Sequence, residues 1–384
     1  MPEAVAPRIP IARPYLDAEE ALASVRACFE TGWVTMGPAV QEFERELEQI
    51  VGVPAVACSS CTAGLHLAFL AWEIGPGDEV IVPAYSFVAS AHAVAQTGAT
   101  PVFCDVDPAT GQIDPQAAAA AVTARTRAIM PVHLFGIPAD MAPLRQTAKR
   151  HDLKLIEDAA CGLGAFYDGV PAGALGDAAS FSFHPRKVVT TGEGGALTSA
   201  DETLLDHARC QRNHGARLSG FDRFQSHQGL LPTFDLLGYN YRLTDLQARV
   251  GLPQLAVLDR IVEERRAHAA HYDTALAGLD GLMPLIETDG GRACYQSYVV
   301  RVLDSAPVDV HRLREHLDAR GVQAVQGGQL LPALGYYEQR SGWRPGTFPA
   351  AERLAADSLA IPLYAGLTET ERERVVDGIR ELWA

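Results

Sequence analysis

ASFSFHPRKVVTTGEGGA, residues 179–196, joins three signals in one short stretch. The apolar and aromatic run 179–183 reads as a strand, a single lysine follows at Lys187, and Gly192-Glu193-Gly194-Gly195 reads as a turn that lets backbone approach a bound group. A lysine amine can form a Schiff base with a carbonyl, and a pyridoxal aldehyde is the carbonyl that proteins most often hold in this way. A lone lysine is far more often a solvated surface charge, so the rest of the chain has to separate the two.

Upstream, residues 79–83, 101–106, 128–134 and 155–156 are short apolar runs separated by helical stretches such as 140–151. That alternation predicts an α/β fold with parallel strands joined by right-handed crossovers. No G-x-G-x-x-G follows any of these runs, which speaks against a dinucleotide enzyme. The run 156–161, IEDAAC, places Asp158 at a strand end, where open α/β sheets bind ligands; a carboxylate there caps a helix or holds a charged ligand atom. Residues 56–58 form another apolar run, followed by Ser59-Ser60-Cys61-Thr62 and a helical pattern to residue 71. A helix N-terminus offers free N–H groups and a favourable dipole for phosphate, and Ser60 and Thr62 either add donors or merely cap the helix.

The 384 residues can bury a large core and predict two domains, 1–250 and 251–384. The composition, 48% hydrophobic and 21% charged, is that of a soluble globular enzyme, and the net charge of −15 disfavours nucleic-acid polymers and anionic membranes. Charges and prolines interrupt the N-terminus where a signal peptide has its apolar core, and no uncharged run reaches the length of a membrane span. Seven cysteines, an odd number, read as reduced thiols in a cytoplasmic protein. Cys58 and Cys61 have C-x-x-C spacing without a second pair or a histidine cluster, so no metal is expected.

Helical patterns are expected at 17–30, 40–50, 201–212, 251–279 and 310–320, with a strand at 298–302, and 352–360 and 369–382 complete a mixed α/β C-terminal domain. On the second of these, Val40, Phe43, Leu47 and Ile50 form one apolar face. Between 212 and 237 the chain is irregular and glycine-rich through Gly215, Gly220 and Gly229. It then enters LGYNYRLTDLQA, residues 237–248, where Asn240 reads as an Asx turn or a ligand contact, and Arg242 as a partner of a phosphate or of Asp245.

SFHPRKVVTTGEGG resembles the Schiff-base segment of the DegT/DnrJ/EryC1/StrS sugar aminotransferases, and the likeness extends over nearly the whole chain, including Asp158 and the G-Y-N-Y-R-L-T-D element. The resemblance implies the fold type I aminotransferase architecture: a large, mostly parallel-sheet domain holding pyridoxal 5'-phosphate and a smaller C-terminal α/β domain. It implies Lys187 as the Schiff-base lysine and Asp158 as the partner of the pyridine nitrogen, keeping that nitrogen protonated. Phe87, which reads as core on its own, matches the aromatic that lies over the ring. Thr62, Ser182 and the backbone of Cys61 match phosphate contacts. Asn240 matches an asparagine that reaches the partner's cofactor, which implies a homodimer with shared active sites.

Two positions depart from the family pattern. Cys161 stands where a glutamine or histidine usually approaches the ring's 3′ oxygen, and residues 325–330, VQGGQL, replace a histidine-tyrosine pair that lines the substrate side. The implied reaction carries an amino group from L-glutamate to a nucleotide-linked keto sugar. The H-P-x-K-x-x-T-T-G-E-G-G form favours 4-keto-6-deoxy sugars; a 3-keto sugar or keto-cyclitol acceptor, or a non-catalytic regulator on the same scaffold, remains open on sequence alone.

Overall fold

The computed structural model describes residues 7–226 and 233–384, so Gly229 lies outside the described residues. The strands, in chain order, are β1 (Ala55–Cys58), β2 (Glu79–Pro83), β3 (Tyr85–Ser86), β4 (Thr100–Cys104), β5 (Thr126–Ile129), β6 (Lys154–Asp158), β7 (Phe166–Tyr167), β8 (Val170–Pro171), β9 (Ala178–Ser182) and β10 (Gly195–Thr198). β11 (Leu282–Pro284), β12 (Gly291–Arg292), β13 (Tyr298–Val302), β14 (Val325–Gln326), β15 (Gln329–Leu330) and β16 (Ser358–Ile361) follow.

Seven strands form the central sheet in the order β1-β10-β9-β6-β5-β2-β4. β4, β2, β5, β6 and β9 pair in parallel, as the alternation of strands and helices predicts. β10 runs against both β9 and β1. The reason is local: β9 and β10 are joined by residues 183–194 alone, which turn back without a crossover helix and so can make only an antiparallel neighbour. Lys187 rides on this return loop.

Three helices, α1 (Ala18–Thr31), α2 (Pro38–Val51) and α3 (Cys61–Ala71), precede or follow β1, and α4 (Ala89–Ala95) follows β3. Asp17 caps α1 through Glu19 and Glu20 N–H, one residue before the helix begins. α2 buries Val40, Phe43 and Leu47 as the spacing predicts, with Val51 buried and Ile50 only half-buried. The long helical pattern expected over 251–279 is two helices, Asp245–Leu255 and Leu258–Ala275, separated by the non-helical Val257 (φ −120°, ψ 19°).

β11, β13, β16 and β14 make a second, antiparallel sheet of four strands with its own core, including Leu313, Leu317, Val375 and Ile379. Ile9 belongs to this core: its N–H donates to Gly321 O and its carbonyl accepts from Gln323 N, so the N-terminal segment packs with the C-terminal part of the chain. Conversely, β15 leaves that part and pairs with β3, directly before Phe87. Among the described residues, no helix is long and apolar enough to cross a membrane.

Candidate active site

On β6, Glu157 and Asp158 are consecutive and therefore point to opposite faces of the sheet. Asp158 faces α3 and α4. It is 4% exposed. Its Oδ2 accepts from Ser90 Oγ at 2.6 Å, and its Oδ1 accepts from Ala160 N at 3.1 Å and lies 3.6 Å from Cys61 Sγ. An ionised carboxylate offers about four lone-pair sites, so these two donors leave accepting capacity free.

β9 lies beside β6 with Ser180 opposite Asp158, and the period of two puts Ser180 and Ser182 on one face. Ser180 Oγ donates to Cys61 O at 2.9 Å, and the Cys61 thiol donates back to Ser180 O at 3.2 Å. Burial, and then the Asp158 charge, push that thiol well above its ordinary value, so it remains an S–H donor. Ser182 pairs with Gly195 across the sheet. A Cβ on Gly195 would sit 2.4 Å from Cys61 N, so only glycine lets the N-terminus of α3 press onto β10 at this point. Ser182 and the first turn of α3, with Thr62 half-buried as its second residue, are thereby brought to the same sheet edge. Ser60 acts as the helix cap, accepting from Ala63 N.

Lys187 is half-buried and directs Nζ to Cys161 Sγ at 3.1 Å. Burial depresses its ammonium, but the hydrogen bond to the Cys161 sulfur and the charge of Asp158 outweigh burial and hold it above the ordinary lysine value. Lys187, Cys161, Cys61 and Asp158 therefore form one cluster, reached from three separate strand ends. Phe87 is 62% exposed, an unusual state for a phenylalanine placed beside a core strand. It lies in the turn that leads from β3 to Ser90, whose N–H donates to Phe87 O at 3.2 Å. Asn240 is exposed and bridges Asn213; among the described residues it makes no bond to the other candidates in this protomer.

Arg242 donates to Asn213 Oδ1 at 3.2 Å rather than pairing with Asp245. The buried Asp245 carboxylate instead caps α2, accepting from Gly37 N at 2.7 Å and Val40 N at 3.0 Å. His184 and Arg186 shape the loop, with Arg186 N donating to His184 Nδ1 at 3.2 Å.

The run 325–330 also has a structural reason. Cβ atoms on Gly327 and Gly328 would sit 2.5 and 2.7 Å from Tyr85, whose hydroxyl accepts from Gly328 N at 2.6 Å. These glycines admit a tyrosine ring. Gln329 Oε1 accepts from Val88 N at 3.0 Å and so braces the turn that carries Phe87. Sequence reading missed Ser90, Ser180 and Gln329. The only trace of Ser90 was its spacing from Ser86, one helical turn earlier, and the two hydroxyls lie 3.2 Å apart.

The family model for DegT/DnrJ/EryC1/StrS aminotransferases matches residues 16–380. The chain belongs to this family. GDP-perosamine synthase of Caulobacter vibrioides is 37% identical over 98% of both chains. The structure of S. venezuelae DesV in complex with a ketimine intermediate superposes with a TM-score of 0.90 at 34% identity, covering 98% of this chain and 99% of that one. The PLP-form of Spr1654 from Streptococcus pneumoniae gives a TM-score of 0.90 at 28% identity over 98% of each chain.

The protein is thus a pyridoxal-phosphate-dependent aminotransferase with the fold type I architecture. The residues present fit that cofactor: an amine, a buried carboxylate with spare accepting capacity, a helix N-terminus beside a serine, and an exposed aromatic ring on the adjoining turn. Among the described residues, no group of three or more histidine, cysteine and acidic side chains converges as a metal site.

Proposed function

We propose that this aminotransferase takes the amino group of L-glutamate and delivers it to a nucleotide-linked 4-keto-6-deoxy sugar. The observation that carries the catalytic assignment is the convergence of Lys187 and Asp158 in one half-open cluster, with Cys161 against the amine and Ser90 against the carboxylate. When bound, pyridoxal phosphate carries the amino group between donor and acceptor and serves as the electron sink.

In this reading Lys187 holds the cofactor at rest. As a free amine, Lys187 would then take and return the proton at the donor α-carbon. Asp158 keeps the ring nitrogen protonated, and Phe87 fixes the ring plane. Thr62, Ser182 and the Cys61 N–H would anchor the phosphate at the N-terminus of α3, and Cys161 would stand near the ring's 3′ oxygen. The exposed Asn240 serves the partner's site, which makes the working unit a homodimer with two shared sites in the cytoplasm. A nucleotide-linked acceptor is supported by the relative named GDP-perosamine synthase. The 4-keto preference rests on the residues around Lys187.

The test is spectroscopic. Purified protein should absorb at about 410–430 nm, lose that band with glutamate and regain it with one member of a panel of nucleotide-linked 3-keto and 4-keto sugars. Recovery with a 4-keto-6-deoxy sugar supports the proposal. Recovery only with a 3-keto sugar or a keto-cyclitol replaces the acceptor, and a band that ignores glutamate rejects the donor.

A further inference from the structure

Ser90 stands on the first turn of α4, 1% exposed, and no role for it is implied by the residues around Lys187. Its single hydroxyl hydrogen is committed to Asp158 Oδ2 at 2.6 Å, because an ionised carboxylate only accepts. The 3.2 Å contact between Ser86 Oγ and Ser90 Oγ must then run from Ser86 to Ser90. The result is a directed relay, Ser86 to Ser90 to Asp158, in which each bond polarises the next. The same turn carries Phe87, and Gln329 braces it through Val88 N.

We propose that Ser90 is a positioning residue for transamination: its hydroxyl makes Asp158 the weaker base in the pair with the cofactor's ring nitrogen, so that the shared proton stays on the ring. This rests on the reading that Asp158 meets that nitrogen. A hydrogen bond to the charged form of a carboxylate lowers its proton affinity, and removing the donor raises it. Without Ser90 the proton drifts from ring to carboxylate, and the ring loses strength as an electron sink. The other polar groups at Asp158 do not replace this bond. Ala160 N serves the other oxygen, and the Cys61 thiol, 3.6 Å from that same oxygen, gives its hydrogen to Ser180 O at 3.2 Å.

The experiment uses holoenzyme loaded with pyridoxal phosphate labelled with nitrogen-15 in the ring, read by NMR. Wild type should show the protonated-ring resonance. Ser90→Ala should move it toward the unprotonated position and slow the glutamate half-reaction roughly tenfold with KM unchanged. Ser90→Thr, which keeps the hydroxyl, should restore the resonance. A Ser90→Ala resonance at the wild-type position overturns the inference, as does failure of threonine to restore a shifted one. Asp158→Asn separates the two layers. If it moves the resonance and Ser90→Ala does not, only the role of Ser90 falls; if it leaves the resonance in place, the assignment of Asp158 falls with it.

Discussion

Glu157 and Asp158 are neighbours on one strand, both buried, and they do opposite things. Glu157, on one face of β6, is fully buried and saturated: it accepts from Gly173 N at 2.8 Å, Leu175 N at 2.7 Å, Gly176 N at 2.8 Å and His133 Nε2 at 2.8 Å. His133 Nδ1 accepts from Ala139 N, which assigns the ring proton to Nε2 and makes this contact a donation from a neutral imidazole. On the other face, Asp158 has fewer strong donors and an amine nearby, and it lies where α3, α4 and the Lys187 loop converge. A saturated carboxylate fixes backbone, whereas one with a free lone pair can hold a ligand. Burial alone distinguishes neither.

The largest expected effect lies on the Asp158 face. Lys187→Ala should reduce transamination by roughly 10³-fold, the scale for losing a positioned acid–base group, and leave the melting temperature within a few degrees of wild type. Near-wild-type turnover by this variant would remove the catalytic distinction between the two faces.

The two carboxylates should then separate by kind of damage. Asp158→Asn should lower turnover by roughly 10²-fold while stability falls by less than about 2 kcal/mol. Glu157→Gln leaves three backbone donors and His133 facing a group that can no longer accept from all of them. It should lose about 3 kcal/mol in denaturant unfolding, with the folded fraction turning over normally. Equal loss of activity in both variants would mean that β6 acts as one unit and the comparison fails.

Much of this face could be read from sequence. Lys187, Asp158 and the helix start at Cys61-Thr62 are marked by resemblance to the family's Schiff-base, strand-end and phosphate segments, and the fold brings them to one edge of the sheet. The parallel strands were legible because short apolar runs alternate with helical stretches. The partners were not. Ser90, Ser180 and Gln329 act through contacts across 68, 119 and 241 positions of sequence, and serine or glutamine at such places carries no periodic signal. Glu157 was equally silent, because saturation is a property of the loop at 173–176 and not of the glutamate. The glycines at 327 and 328 were visible, but the tyrosine ring that requires them belongs to β3.

That packing gives a smaller, sharper test. Gly328→Ala places a Cβ 2.7 Å from Tyr85 Cζ, so β15 has to withdraw from β3. The expected loss is about 1–3 kcal/mol of stability, with a raised KM as the Phe87 turn loosens. Destabilisation without any change in KM would show that the brace through Gln329 does not reach the site.

The smallest effect tests whether Cys161 belongs functionally to the Asp158 face. Its sulfur receives a hydrogen bond from the Lys187 ammonium, and together with the Asp158 charge it overcomes the opposing effect of burial and raises that amine's proton affinity. A raised value keeps the amine charged further into alkaline pH, and a charged amine cannot attack an aldehyde. Removing the sulfur should therefore shift the balance toward burial and free the amine at lower pH. Apoenzyme carrying Cys161→Ala should capture added pyridoxal phosphate faster than wild type at pH 8, and its rate–pH profile should lie to the acid side, measured by stopped-flow absorbance. Profiles that superimpose would show that Asp158 sets the amine without the sulfur, leaving Cys161 as a packing residue in the loop after β6.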